Sequence, residues 1–349
     1  MNRISNITAS DKSAESAAHN HWNSIAKPLG SLGLLESAVE KIAAIQGIEN
    51  PDISRRTVVV MCADNGVVCE GVTQSDSSVT AVCANAIAEG TSNINVLADT
   101  FNSDVLAVDI GMNSDCKNTK LINRKIACGT ENIAAGAAMT YEQAESAISV
   151  GMDIVGELKN KGVNIIVTGE MGIGNTTIAS ALSAVLLNLS PKAVTGRGAG
   201  LDSEGLSRKI SVIERAIAVN NPDVNKPIEL LAKLGGYDVA GMVGLFLGGA
   251  YYRIPVIIDG VISAVAALIA YRINPLTAEY MLASHISDEP AGKMLLDSIG
   301  LKAIINANMR LGEGTGGVML LPLLDGALSV YNNAHRFDEI SIERYTELK

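Results

Sequence analysis

Three glycine-rich segments hold the side chains best able to do chemistry. Residues 168–177 read Thr-Gly-Glu-Met-Gly-Ile-Gly-Asn-Thr-Thr, with one carboxylate, Glu170, ahead of a polar run. Glycine lets a backbone come close to a ligand, and Asn or Thr at a helix start turns amides and hydroxyls toward an anion. Gly172, Gly174, Asn175, Thr176 and Thr177 therefore suit a phosphate, although the same spacing also suits a well-capped strand-to-helix turn with no ligand. No Gly-Lys-Ser/Thr follows, so the lysine and hydroxyl of a Walker A loop are missing, and the strict dinucleotide fingerprint is not met.

Residues 195–202, Thr-Gly-Arg-Gly-Ala-Gly-Leu-Asp, set Arg197 between Gly196 and Gly198, with Lys209 in the helical segment beyond. A planar cation among exposed amides suits a phosphate or carboxylate, and a turn with a solvated arginine is the other reading. Residues 311–317, Leu-Gly-Glu-Gly-Thr-Gly-Gly, place Glu313 between Gly312 and Gly314. Close packing there would lift the acid toward the range of a general base. A surface Glu in a glycine turn is the ordinary explanation, but Leu311 and the apolar residues 318–321 favour partial burial. Asp64 and Asp259 follow strand-like runs, where either could cap a helix or a turn. The four histidines (19, 21, 285, 335) are scattered, so no metal-ligand spacing is evident. No Gly-x-Ser-x-Gly elbow supports a serine hydrolase.

These loops need a scaffold. Short β-branched runs at 57–62, 104–110, 163–168 and 255–258 end in Gly, Asp or Asn and lead into helix-like stretches at 79–98, 141–161 and 175–189. That cadence predicts an α/β fold with a parallel sheet covered by helices on both faces, and ligands then bind beyond the carboxyl ends of the strands. Residues 14–46 read as two helical pieces broken by Lys-Pro-Leu-Gly-Ser-Leu-Gly at 27–33. Residues 278–300 and 315–333 read as largely helical, so the two chain ends are expected to build a small helical domain.

Composition narrows the function classes. The 349 residues are 48% apolar and 18% charged, enough to bury a core and far from a disordered or fibrous chain. A formal charge of −10 without a Lys/Arg cluster argues against nucleic acid or an anionic membrane as partner, and 3% aromatics disfavour a base-stacking platform. The strongest apolar stretches, 261–271 and 317–324, are shorter than the roughly 20 residues of a spanning helix. The polar start lacks a secretory layout, and five cysteines without a CxxC pair disfavour a disulfide framework, which fits a reducing cytoplasm.

In combination and order, the segments at 27–33 (KPLGSLG), 62–67 (CADNGV), 169–177 (GEMGIGNTT), 195–200 (TGRGAG), 255–260 (PVIIDG) and 312–317 (GEGTGG) resemble the nicotinate-nucleotide:dimethylbenzimidazole phosphoribosyltransferase family. The likeness runs from about Trp22 to His335. It implies a Rossmann-like parallel sheet flanked by helices, with a small helical domain from both termini. The corresponding division is a polar segment 1–20, a helical domain of 21–50 plus 301–349 that carries the 311–317 loop, and a large domain 51–300. It also implies a homodimer, or a heterodimer with a paralogous subunit, and transfer of phosphoribose from nicotinate mononucleotide to an aromatic lower-ligand base of a cobamide, without cofactor or metal. By motif position Glu313 would be the general base. Glu170, the loop from Gly172 to Thr177, Gly196, Arg197, Gly198, Lys209, Gly312 and Gly314 would lie around the nucleotide.

Two stretches depart from the family pattern. Ala63-Asp64-Asn65-Gly66-Val67 stands where Gly-Asp-His-Gly-Val is common, and Ser75-Asp76-Ser77-Ser78 replaces a Tyr-Pro-Gln stretch that helps line the base pocket. Ser75, Ser77, Met171 and Leu311 are then the expected base-pocket residues. A pocket built around one heteroatom discriminates against analogues that lack it, so the acceptor is expected to be dimethylbenzimidazole or another aromatic such as a purine, phenol or p-cresol. The competing readings are a nucleotide-binding paralogue with reduced turnover in a heteromeric enzyme, and a sugar or nucleotide kinase, for which the lysine and metal ligands are missing.

Overall fold

The structure is a computed structural model that describes residues 2–114 and 118–346. Cys116, one of the five cysteines counted above, lies outside the described residues. Among the described residues, six strands form one parallel sheet: β1 (Arg56–Ala63), β2 (Ser103–Gly111), β3 (Ile122–Asn123), β4 (Ile165–Met171), β5 (Val256–Ile258) and β6 (Met281–Ala283). Their order is β3-β2-β1-β4-β5-β6, so the chain runs outward from β1 to one edge and then crosses back to β4 on the other side. That reversal makes the carboxyl ends of β1 and β4 the place where flanking loops diverge and a crevice opens.

Side chains alternate across the sheet and both faces are buried, which is why β1 reads as an unbroken apolar run. Val59, Met61 and Ala63 join the core under helices Tyr141–Asn160, Tyr237–Tyr252 and Val261–Ile273. Val58, Val60 and Cys62 join a second core with helices Leu34–Gln46, Asn93–Thr100 and Thr315–Asn333. On the first face two helices touch backbone to backbone, because a Cβ on Gly151 would strike Gly241 O and one on Gly244 would strike Ile148 O. This contact seats the start of helix Tyr237–Tyr252, and Asp238 with it, beneath the strand ends.

The two chain ends meet on the second face. Asp11 caps helix Lys12–Ser24 by accepting from Ser13 N and Ala14 N, and Trp22 meets Tyr331 edge-on at 4.9 Å. Ile25 pairs with Arg336 in an isolated antiparallel bridge. These helices share their core with the sheet face on which they lie.

The structure corrects three local expectations. The helix expected over 79–98 is two helices, Ser78–Glu89 and Asn93–Thr100, because Gly90 turns left-handed at φ +87° and ends the first. Residues 278–300, expected to be largely helical, hold the end of a 3₁₀ turn (Pro275–Tyr280), strand β6 and only one α-helix, Gly292–Ile299. Met281, Leu282 and Ala283 are buried on alternate faces beside β5, and a three-residue strand is too short to show a period. The strand expected from 163 begins at Ile165. Among the described residues, no helix is long and apolar enough to cross a membrane.

Candidate active site

A cavity of about 240 Å³ opens beyond the carboxyl ends of β4, β5 and β6. One wall is the β4 exit, residues 169–173, which leads through Gly174 into helix Asn175–Leu187. The opposite wall is the loop ahead of helix Thr315–Asn333, where Gly312, Glu313 and Gly314 are all left-handed at φ +85°, +61° and +95°. Two of these residues must be glycine to hold such a run cheaply, and Glu313, which is not, carries backbone strain.

Buried carboxylates hold that loop from below. Asp259, just past β5, accepts from Gly314 N at 3.2 Å and Gly317 N at 3.0 Å, while Glu170 accepts from Glu313 N. The Glu313 carboxylate itself accepts from Ile94 N, at the start of helix Asn93–Thr100, at 3.3 Å. Burial raises the Glu313 carboxyl above its ordinary range; the Ile94 amide opposes the shift and the negative charge of Asp259 adds to it. Glu170 lies well above its ordinary range, first through burial and then through the charge of Asp238, against the hydrogen bond from Asn175. Two acids near one cavity are thus pushed toward the neutral form, the condition in which a carboxylate becomes an effective base near neutral pH.

Behind the cavity, Asn175 Nδ2 donates both to Glu170 Oε2 and, at 3.2 Å, to Asp238 Oδ2. Lys209 is buried and donates to Thr176 Oγ1 at 2.9 Å; burial lowers its ammonium to about 8, against the attraction of Glu289. His285, next to Ser284 Oγ at 3.0 Å, and Asp259 form a buried pair in which each opposes the other's burial shift: Asp259 is raised and His285 lowered.

Of the residues expected from sequence, Glu313, Glu170, Gly172, Asn175, Thr176, Gly198, Gly312, Met171 and Leu311 line this cavity. Gly174 and Gly314 form the turns immediately before the two helices, and Lys209 reaches the wall through Thr176. Thr177 points into the protein, with its buried hydroxyl unpartnered. The other expected residues are off the wall. Arg197 folds onto its own loop, donating to Leu201 O at 2.7 Å and Ser203 Oγ at 3.3 Å, because those acceptors lie within reach and the arginine is exposed. Gly196 packs on Glu289, and the latter, not the glycine, faces the cavity. Ser75 is exposed and Ser77 half-buried in the segment ahead of helix Ser78–Glu89, and neither reaches the wall.

Sequence reasoning passed over His285, Ser287, Glu289 and Arg310 on the wall, and gave Asp259 only a capping part. Recognising β6 would have pointed to residues 284–289, since a strand's carboxyl end is where ligand groups gather. Arg310 pairs with Asp288 Oδ2 at 2.9 Å. Among the described residues, no group of three or more His, Cys, Asp or Glu could hold a metal ion.

A family model described as Phosphoribosyltransferase matches residues 7–342. The nicotinate-nucleotide–dimethylbenzimidazole phosphoribosyltransferase of Acetivibrio thermocellus is 46% identical over 323 residues, 93% of this chain and 92% of that protein. The enzyme of the same name from Clostridium acetobutylicum is 42% identical over 348 residues, covering 100% and 99% of the two chains. The crystal structure of CobT from Thermus thermophilus superposes with a TM-score of 0.90 at 35% identity, over 95% of this chain and 100% of that one. With the fold, the order of the motifs and these likenesses in agreement, the chain belongs to the nicotinate-nucleotide–dimethylbenzimidazole phosphoribosyltransferase family and is an enzyme that transfers a phosphoribosyl group.

Proposed function

We propose that the protein moves phosphoribose from nicotinate mononucleotide to dimethylbenzimidazole or another flat aromatic base, releasing nicotinate and leaving an α-riboside 5′-phosphate for cobamide assembly. The observation that carries this reading is the half-buried Glu313 carboxylate on the wall of the cavity that also takes Glu170 and the Gly172 to Thr176 loop. In the step, a ring nitrogen of the acceptor, or the hydroxyl oxygen of a phenol, bonds to the anomeric carbon while the bond from that carbon to the pyridinium nitrogen breaks. Nicotinate leaves with the bonding pair, and an already cationic leaving group needs no strong acid. The acceptor's proton passes to Glu313, whose raised basicity suits it to the transfer.

Gly172, Thr176 and Gly198 are assigned to the phosphate end, where the start of helix Asn175–Leu187 favours an anion and Lys209 adds a positive charge beside Thr176, while Asn175 spends its amide protons on Glu170 and Asp238. Met171 and Leu311 offer apolar contact to the acceptor ring. With Ser75 and Ser77 away from the wall, the acceptor choice falls to these apolar groups and Glu313. Holding both reactants in one site supplies most of the rate advantage that positioning gives. The terminal helical unit then serves as the mount of the Glu313 loop, and the working assembly is taken as a dimer.

The test is a mass spectrum of products from nicotinate mononucleotide with an equimolar mixture of dimethylbenzimidazole, adenine, phenol and p-cresol. A riboside phosphate of one of them, formed with stoichiometric nicotinate, is expected. Nicotinate release without any riboside phosphate, or no release at all, overturns the proposal.

A further inference from the structure

The proposed mechanism leaves Asp238 without a part, although it lies fully buried behind the site. Its Oδ2 accepts from Asn175 Nδ2, but its Oδ1 has no hydrogen-bond partner. Asn65, just past the end of β1, has the same defect: Nδ2 donates to Ile173 O at 3.3 Å while Oδ1 is buried and unpartnered. Both orphaned oxygens press on the point where a Cβ of Gly236 would stand, Asn65 Oδ1 at 2.6 Å, so they share one small space. Two unpartnered acceptors beside one dry space would leave each with the full cost of its lost water, about 1–3 kcal/mol per group. One proton between them removes both defects.

We infer that Asp238 takes up a proton in the folded protein on the acid side of neutrality, directing its O–H at Asn65 Oδ1, and that it acts there as a positioning residue for the Glu313 loop. The positioning chain is continuous: Asp238 Oδ2 accepts from Asn175, Asn175 donates to Glu170, and Glu170 accepts from the Glu313 N–H. Asn175 has two amide protons, and both are committed, one to each acid. Fixing Asn175 from behind therefore fixes the Glu170 carboxylate, and with it the strained left-handed residue that presents the base. The titratable groups that face Asp238 are Asp64 just past β1, the buried Cys62 thiol on β1 and Glu170 on β4, while Asn65 and Asn175 are neutral. Burial raises Asp238 to about 6, the amides of Val239 and Asp238 and the Asn175 side chain oppose the shift, and Asp64 adds to it. The acids around it favour the neutral form.

The inference rests on the proposed transfer for its kinetic readout, and the replacement by asparagine separates the possibilities. Asparagine keeps the shape, an acceptor for Asn175 and an N–H donor for Asn65, and lacks only the charge that the inference says is absent. Asp238→Asn is expected to recover most of the rate that Asp238→Ala loses. Asp238→Ala is expected to lower kcat roughly tenfold or more, with the nucleotide KM changed by less than about threefold, and to move the acid limb of the pH profile set by Glu313. Infrared difference spectra of wild type against Asp238→Asn at about pH 5, between the ordinary carboxyl range and the raised one, should show the carbonyl band of a protonated carboxylic acid in the wild type only. Asp238→Asn as slow as Asp238→Ala, an Asp238→Ala protein with the wild-type rate, or no protonated-acid band would each overturn the inference. Should wild-type protein transfer phosphoribose to no base, the functional proposal fails, and the infrared measurement still decides the state of Asp238.

Discussion

The 311–317 loop and the 195–201 loop look alike on paper, each a charged residue among glycines, yet they are built for opposite ends. The first is tied to the body of the protein: Asp259 and Glu170 take the N–H groups of Glu313, Gly314 and Gly317, and Ile94 N steadies the free carboxylate. The second is tied mainly to itself, through Arg197 to Leu201 O and Ser203 Oγ. A charged side chain held by contacts from distant strands can be kept in a costly conformation and aimed. One that satisfies itself locally spends its hydrogen bonds on the loop's own shape.

Breaking the aimed residue should have the largest effect. Glu313→Gln removes the proton acceptor with little change of shape and should lower kcat by about 10²–10⁴, while the nucleotide KM moves little. Steady-state kinetics of nicotinate release would show it, and an unchanged kcat would remove Glu313 from the base role. Next comes the mount. Asp259→Ala orphans two buried amides and should lower stability by about 1–3 kcal/mol and kcat by roughly tenfold or more, read by thermal melts and kinetics on the same sample. Gly312→Ala sharpens the comparison further, since a Cβ there would lie 2.5 Å from Glu170 Oε1 at a left-handed φ. A loss of about 1–2 kcal/mol in stability and a smaller fall in kcat are expected. The self-tied loop should be the most forgiving: Arg197→Ala is expected to change kcat/KM by no more than about threefold, and a large loss would mean that Arg197 turns into the site when substrate binds.

Stability should follow pH with a definite sign. Asp238 titrates higher in the folded protein than in the unfolded chain, so the folded state holds the extra proton. Its contribution is present below about pH 4 and is lost as pH rises through about 6. Melting temperatures of wild type should therefore decline over that window relative to Asp238→Asn, and parallel curves would contradict the shift.

Much of the scaffold was legible from the residues. The helix at 315–333 was found to the residue, and the one at 175–189 ends at Leu187, because each has a long apolar period opened by glycine turns. The long strands β1, β2 and β4 show as apolar runs for the same reason that they are buried on both faces. Strands β3 and β6, of two and three residues, owe their existence to a neighbour's edge and leave no pattern of their own. The site divides the same way. Glu170, Asn175 and Glu313, which the structure sets at one cavity, stand among glycines visible in the sequence, whereas Asp238 is linked to that cavity through Asn175, 63 positions away. Arg197 folds onto its own loop for the converse reason: the acceptors that claim it are only four and six positions along the chain, too near to register as a pattern.

The most direct test of the central claim is the pH dependence of kcat/KM for the acceptor, measured on wild type and Glu313→Gln with nicotinate mononucleotide saturating. A carboxylate base must be ionised to take a proton, so the wild-type rate should fall as pH drops through a value above the ordinary glutamate range. In Glu313→Gln that limb should be gone and the residual rate flat. The same acid limb in both proteins would contradict the account, because some group other than Glu313 would then be accepting the proton.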